Sequence, residues 1–424
     1  MPLKTVKFPK EFLWGAATAA HQVEGGNHNQ WTVWEQENAK KRASMASSDY
    51  KNFEVWQHIK ARATDPSNYI SGKAANHFSQ YKEDFSILEK LNLNAFRFGI
   101  EWSRLEPEKG QWDAKAIAHY RDYIAELRKR NIEPMVTFFH FSLPIWFEEL
   151  GGFEKRKNVK YFLRFVEKVM SEYGKDVKYY ITINEPQTYL ALCYWRKEWP
   201  PMKKSIFLFA KVTFNLAYAH RRAVKIIHDL NSQSKVSISN ASINVYPGDN
   251  SIITKISTSV IQYATEEYFL RRVIKSCDFI GVNFYFSSRV YGFRIHNNDR
   301  RKNDLNWATH PDHLTHVLRR LYFTFKKPLI VTENGIADHD DSRRKWWIAS
   351  TMLALQHAIE EEIDIRGYFH WSLLDNFEWA HGHWPEFGLV HVDQKTSKRY
   401  IRPSAIWWGK LVDRFRRESN NEGR

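Results

Sequence analysis

The chain has 424 residues, too many for one ordinary core, so two domains or one large barrel are the candidates. Its 43% apolar content is ample for a buried core, and its 17 Trp, 20 Tyr and 28 Phe suit both cores and carbohydrate sites, where sugar C–H faces pack on rings. The net charge of +15 is spread over groups such as Lys155-Arg156-Lys157 and Arg343-Arg344-Lys345, with no zinc-finger, RNP-type or basic-zipper pattern, so no nucleic-acid partner is expected.

Two cysteines, Cys193 and Cys277, are too few for a disulfide framework or a zinc cage. The start, Met1 to Phe8, lacks the apolar run of a signal peptide, and no stretch approaches 18 uninterrupted apolar residues. A cytoplasmic protein with no membrane partner is the expectation.

The first strand candidate, Phe12–Ala17, is followed by Gln22 and Glu24. Residues 38–76 read as a long irregular loop. Tyr81, Phe85 and Leu88 then mark an amphipathic helix. The second strand, Ala95–Ile100, carries Arg97 and precedes Glu101. A helical face follows at Ile117, Tyr120, Ile124 and Leu127. The third strand, Pro134–Phe139, ends in His140, and another helical face lies at Phe162, Phe165, Val169 and Tyr173. The fourth, Lys178–Ile183, runs into Asn184-Glu185-Pro186, and the fifth is Val236–Asn240. The sixth, Asp278–Phe284, contains Asn283 and precedes Tyr285. Residues 285–310 read as a second long loop, with Trp307 in it. The seventh, Pro328–Thr332, ends in Glu333-Asn334. The eighth, Gly367–Trp371, has Asp375, Asn376, Glu378 and Trp379 behind it.

Strands alternating with helices imply parallel pairing, and eight such units close into an α/β (β/α)8 TIM barrel. An open doubly wound sheet is the alternative, but no Gly-rich phosphate loop follows any strand. A single barrel domain is expected over residues 1–418, with a disordered tail at 419–424.

Chemistry in such a barrel sits at the C-terminal ends of the strands, where polar groups converge here. A random barrel would not gather them, because each unpaired buried polar group costs on the order of 1–3 kcal/mol. Glu185 and Glu333 face each other across the mouth. Paired carboxylates flanking a pocket are the machinery of glycoside hydrolysis, one protonated to help the leaving oxygen and one ionised to attack or to activate water. Arg97 is a permanent cation that can keep Glu333 ionised, and Tyr285 can donate to the same carboxylate. Glu24, Glu101 and Asp375 are read as structural pairing groups.

At these residues the chain resembles glycoside hydrolase family 1, the β-glucosidase and β-galactosidase family. The resemblance is carried by Phe12-Leu13-Trp14-Gly15, Gln22-Val23-Glu24-Gly25, Phe96-Arg97-Phe98-Gly99-Ile100-Glu101-Trp102-Ser103-Arg104, Thr182-Ile183-Asn184-Glu185-Pro186, Val331-Thr332-Glu333-Asn334-Gly335 and the run Gly367 to Trp379. It implies a retaining β-glycosidase with Glu333 as nucleophile and Glu185 as acid/base. Asn184 would bond the sugar 2-hydroxyl, and Arg97 and Tyr285 would support the nucleophile. Gln22, His140, Trp371, Glu378 and Trp379 would hold the terminal sugar, with an ionised Glu378 at its 4- and 6-hydroxyls. Trp307 would lie beyond the cleavage point. Phe141 after His140 and Phe286 after Tyr285 depart from the family pattern.

The expected substrate is a β-glycoside or short oligosaccharide with a terminal β-D-glucosyl, galactosyl or fucosyl unit. No cofactor and no metal are expected. A 6-phospho-β-glycosidase and a catalytically inactive sugar-binding barrel are the alternatives.

Overall fold

The computed structural model describes residues 7–296 and 301–420. Its strands in chain order are β1 (Leu13–Ala17), β2 (Ala95–Gly99), β3 (Glu133–Phe139), β4 (Tyr179–Asn184), β5 (Lys235–Ala241), β6 (Asn244–Pro247), β7 (Ile280–Phe284), β8 (Ser287–Tyr291), β9 (Arg294–His296), β10 (Leu329–Asn334), β11 (Ile365–Trp371), β12 (Val390–Val392) and β13 (Arg399–Ile401). Eight of them close in the order β1-β11-β10-β7-β5-β4-β3-β2, all parallel. This is the (β/α)8 TIM barrel expected from the sequence, and each predicted strand coincides with one barrel strand to within two residues at either end.

The helices bury the predicted stripes. Tyr81, Phe85 and Leu88 are buried in His77–Lys90; Ile117, Tyr120, Ile124 and Leu127 in Ala114–Lys129; and Phe162, Phe165, Val169 and Tyr173 in Val159–Tyr173. The structural carboxylates are also paired. Glu24 accepts from Arg104 Nε (2.7 Å) and Tyr120 (2.6 Å), Glu101 from Ser103 Oγ (2.8 Å) and Ser142 (2.7 Å), and Asp375 from Arg402 Nη2 (3.0 Å).

The loop predicted over 38–76 is corrected, and that over 285–310 only in part: residues 301–310 hold no named strand or helix, and 297–300 lie outside the described residues. Most of 38–76 is helical, in Gln30–Tyr50, Trp56–Ala63 and a single turn at Pro66–Tyr69. A capping box starts the first of these: Asn29 accepts from the Trp31 and Thr32 amides, and Thr32 accepts from the Asn29 amide. Its buried stripe includes Ala39, Ala43 and Ala46, small residues that hide the helical period in the sequence. In 285–310, β8 and β9 form a hairpin turning at Gly292, and β8 pairs with β6. These strands are too short to show an alternation. The last helix, Pro403–Asn420, takes in the first two residues of the predicted tail, with Ser419 Oγ donating to the Phe8 carbonyl (2.7 Å); residues 421–424 lie outside the described residues.

Candidate active site

Two irregularities in the barrel aim the carboxyl groups. The β10–β7 register shifts between Val331 and Glu333, placing Glu333 opposite Asn283, and the β4–β5 register shifts between Ile181 and Asn184. Such shifts turn a side chain out of the regular in–out alternation. Glu185 follows with φ 39° and ψ 60°, a left-handed backbone that costs a non-glycine residue roughly 1–3 kcal/mol. Beyond Glu333, Gly335 passes under the Trp371 carbonyl, where a Cβ would stand 1.8 Å from the oxygen; only glycine permits this packing of β10 on β11. Asn334 is clamped beside Glu333. It donates to the Phe284 carbonyl (2.6 Å) and accepts from Trp347 Nε1 (2.9 Å).

Arg97, fully buried on β2, ties the site together. Its Nη1 donates to Glu333 Oε1 (2.5 Å) and the Thr332 carbonyl (3.1 Å), its Nη2 to Asn184 Oδ1 (2.7 Å), and its Nε to Thr137 (3.2 Å). The Tyr285 hydroxyl donates to Glu333 Oε2 (2.7 Å). One carboxylate thus takes a guanidinium on one oxygen and a phenol on the other, as the sequence suggests. Together they fix both carboxylate oxygens in place. Burial, and then the Glu333 charge, hold the Tyr285 phenol well above its ordinary range, so it stays a donor.

Asn184 is oriented by its neighbours. Its Oδ1 accepts from Arg97 and from Asn283 Nδ2 (3.2 Å), so its Nδ2 faces His140 Nε2 (3.0 Å). Burial and the Arg97 charge push His140 well below its ordinary range. The ring is therefore neutral, accepts at Nε2 and carries its proton on Nδ1. That Nδ1 is buried with no hydrogen-bond partner among the described residues.

Asn283 also donates to Glu185 Oε1 (2.8 Å) and accepts from Thr332 (2.7 Å). It links the two carboxyl groups through β7 and β10, and it is the site residue the sequence reading left unassigned. Its place at the mouth end of a buried strand was the available signal. Burial first, and then the Glu333 charge, raise Glu185 to about 7. At neutral pH Glu185 therefore retains its proton for a large share of the time.

On the opposite side, Gln22 Nε2 donates to the Phe377 carbonyl (2.8 Å) and to Glu378 Oε2 (3.2 Å), and Asn376 Nδ2 donates to the same oxygen (3.2 Å). Asn376 is a second group the sequence reading left out of the site. Burial, with Glu333 and Glu185 nearby, raises Glu378 to about 8. The shift favours the protonated carboxyl over the ionised one expected from the sequence. Gln22 Oε1 and Asn376 Oδ1 are buried without a hydrogen-bond partner among the described residues.

Aromatic rings close the rest. His140 lies 5.7 Å from the Trp371 ring and 6.1 Å from that of Trp379. Trp379 stacks on His21 (5.6 Å) and packs against Trp31 (4.8 Å), and His21 in turn pairs with Glu35 (2.7 Å). The helix Gln30–Tyr50, hidden in the sequence, is thus the support behind Trp379. Trp307 lies 6.0 Å from Tyr285 and 5.3 Å from Phe286. Hydrogen bonds join Arg97, His140, Asn184, Glu185, Tyr285 and Glu333 through Asn283, and a separate set joins Gln22 to Glu378.

A family model for glycosyl hydrolase family 1 matches residues 4–276 and 260–416. The chain is 28% identical to "Beta-glucosidase A" of Thermotoga maritima, covering 96% of this chain and 98% of that one. It is 27% identical to a "6-phospho-beta-galactosidase" of Clostridium acetobutylicum, covering 95% and 96%. It superposes on a solved "beta-glycosidase from Pyrococcus horikoshii" with a TM-score of 0.85 at 34% identity, covering 96% of this chain and 95% of that one. Barrel, paired carboxyl groups and near-complete coverage agree: the chain belongs to glycosyl hydrolase family 1 and is a β-glycosidase.

Proposed function

We propose that this protein is a retaining exo-acting β-glycosidase for terminal β-D-glucosides, and for the related β-galactosides and β-fucosides. The observation that carries the reading is the contrast in surroundings of the two carboxyl groups: Glu333 accepts from Arg97 and Tyr285, while burial raises Glu185 to about 7.

In the first step a Glu333 oxygen attacks the anomeric carbon while Glu185 gives its proton to the glycosidic oxygen. The C–O bond breaks, the aglycone leaves as an alcohol, and a glycosyl ester forms on Glu333. Ester formation removes the negative charge that raised Glu185. Its pKa falls, so as a carboxylate it takes a proton from water attacking the same carbon. The ester C–O bond breaks, and two inversions return the β configuration.

The unpartnered polar atoms suit the terminal sugar. His140 Nδ1–H can donate to a hydroxyl, while Gln22 Oε1 and Asn376 Oδ1 can accept from one. A protonated Glu378 both donates and accepts, and so tolerates either orientation of the 4-hydroxyl. A panel of nitrophenyl glycosides checks this. β-Glucoside, β-galactoside and β-fucoside should all be turned over, whereas activity confined to one of them contradicts the reading.

The likeness to a 6-phospho-β-galactosidase raises a second reading. Around Glu378 the hydrogen-bond partners are the amides of Gln22 and Asn376, and the neighbouring charges are the carboxyl groups Glu333 and Glu185. Among these described neighbours a phosphate dianion meets no cation and loses its water. The 6-phosphorylated substrate should therefore have roughly a hundredfold lower catalytic efficiency than the plain glucoside, a cost of several kcal/mol. A ratio favouring the phosphate would promote the second reading.

The pH profile follows from Glu185. The acid must hold its proton, so the rate falls as pH rises through about 7. Glu185→Gln should remove that limb for an activated aryl glycoside, and an unchanged limb would assign the acid elsewhere. A cytoplasmic setting is part of the proposal, suited by the free buried thiols of Cys193 and Cys277.

A further inference from the structure

The helix Ile252–Gln262, between β6 and β7, is inside out. Its inner side, packed on β6 and the β8–β9 hairpin, is polar: Thr254, Ser257, Thr258 and Gln262 are the buried residues. They are tied down by hydrogen bonds. Thr254 Oγ1 accepts from the Gly292 amide (2.8 Å), Ser257 donates to the Gly292 carbonyl, and Gln262 accepts from the Val245 amide (2.9 Å) and donates to the Ile243 carbonyl (3.0 Å). Its outward side is apolar. Ile252 is 75% exposed, and Ile253, Ile256 and Val260 are each more than half exposed. At a helical period these four fall on one face. A water-facing helix places these groups the other way round.

The same contacts pin the β8–β9 hairpin beside the helix, because Gly292 is its turn residue. The tip adds Phe293, 80% exposed, and Ile295, also more than half exposed. Helix and hairpin, joined through Gly292, each present exposed apolar side chains of a kind that marks an interaction surface. Both follow the C-terminal ends of barrel strands, so they lie at the mouth end of the barrel.

Charge identifies the occupant. Lys255 on the helix and Arg294 in the hairpin are exposed beside the apolar face. The carboxylates of the segment are engaged: Asp249 accepts from the Ser251 amide (2.9 Å), Glu266 from Arg320 (2.7 Å) and Glu267 from Arg271 (2.8 Å). A second copy would bring a like-charged rim and a net charge of +15 against an identical one. We infer that the helix Ile252–Gln262 and the Phe293 hairpin dock on an anionic lipid bilayer surface, the apolar side chains entering the headgroup boundary and Lys255 and Arg294 meeting lipid phosphates.

No helix among the described residues is long and apolar enough to cross a membrane, so the attachment is peripheral. It revises the expectation of no membrane partner. It brings the barrel mouth to the lipid surface, and it stands independently of which glycoside is cleaved.

The test is flotation of the full chain with two kinds of vesicle, neutral phosphatidylcholine and the same lipid with roughly 30% phosphatidylglycerol. Binding to the anionic vesicles should exceed binding to the neutral ones by roughly tenfold and weaken with added salt. The pair Ile256→Asp with Val260→Asp, and separately Phe293→Ser, should each lose roughly tenfold in binding while leaving turnover of a soluble nitrophenyl glycoside unchanged. Lys255→Glu with Arg294→Glu, which leaves the apolar face intact, should remove the preference for anionic lipid. Absent wild-type binding, or variants that float as well as the wild type, would overturn the inference. So would a wild-type dimer that Ile256→Asp with Val260→Asp converts to a monomer without vesicle binding, which would assign the face to a second copy.

Discussion

Glu333→Ala should lower turnover of every β-glycoside by about 10⁵-fold or more, whatever the leaving group. No neighbouring group can replace it. Arg97 and Tyr285 both converge on this carboxylate, and the other nearby acids, Glu185 and Glu378, are protonated to a large extent at neutral pH. The variant keeps the barrel but leaves Arg97 Nη1 with only the Thr332 carbonyl to bond. Binding of a glucose-like inhibitor should therefore survive better than turnover does. Steady-state kinetics against aryl glycosides of graded leaving-group strength check the claim. A loss that depends strongly on leaving group would mark Glu333 as the acid and reverse the assignment.

Glu185→Ala should behave in the opposite way. Alkyl glycosides and disaccharides, which need a proton on the departing oxygen, should lose on the order of 10⁴-fold, the upper range for general acid catalysis. A dinitrophenyl glycoside needs little protonation and should form the glycosyl ester nearly as fast as before. The ester then accumulates because no base activates water. Azide should relieve the block and yield a β-glycosyl azide, since a small anion needs no base and fits where the carboxyl stood. Asn283 loses its Glu185 partner in this variant but keeps Asn184 and Thr332, so the strand ends should hold. An α-configured azide product, or no response to azide, contradicts the role of Glu185.

The barrel was legible because most strands end in a chemically marked residue, and because the helices after the second and third strands carry large apolar stripes. Glu185 and Glu333 could be picked out from strand ends, while the roles of Asn184 and Trp371 came from the resemblance to family 1. The helix Gln30–Tyr50 could not, because its buried face is built partly from alanine and its start depends on the Asn29–Thr32 cap. Asn283 and Asn376 were visible as polar residues near strand ends, but their partners come from other strands and loops, a pairing that only the closed fold supplies. The proton on Glu378 has the same origin: it depends on burial and on carboxyl groups far apart in the chain. The inverted helix Ile252–Gln262 could not be read as such, since periodicity shows that two faces differ and does not say which one turns outward.

The central claim is that the sugar passes through an ester on Glu333. Its most direct test is mass spectrometry after incubation with a 2-deoxy-2-fluoro-β-glucoside bearing a dinitrophenyl leaving group, whose electron-poor sugar slows both steps while the leaving group speeds the first. The account predicts one added fluoroglycosyl unit per chain, carried by the peptide that contains Glu333. A label on Glu185 or Glu378, or turnover with no covalent adduct and release of the α-anomer first, would contradict it.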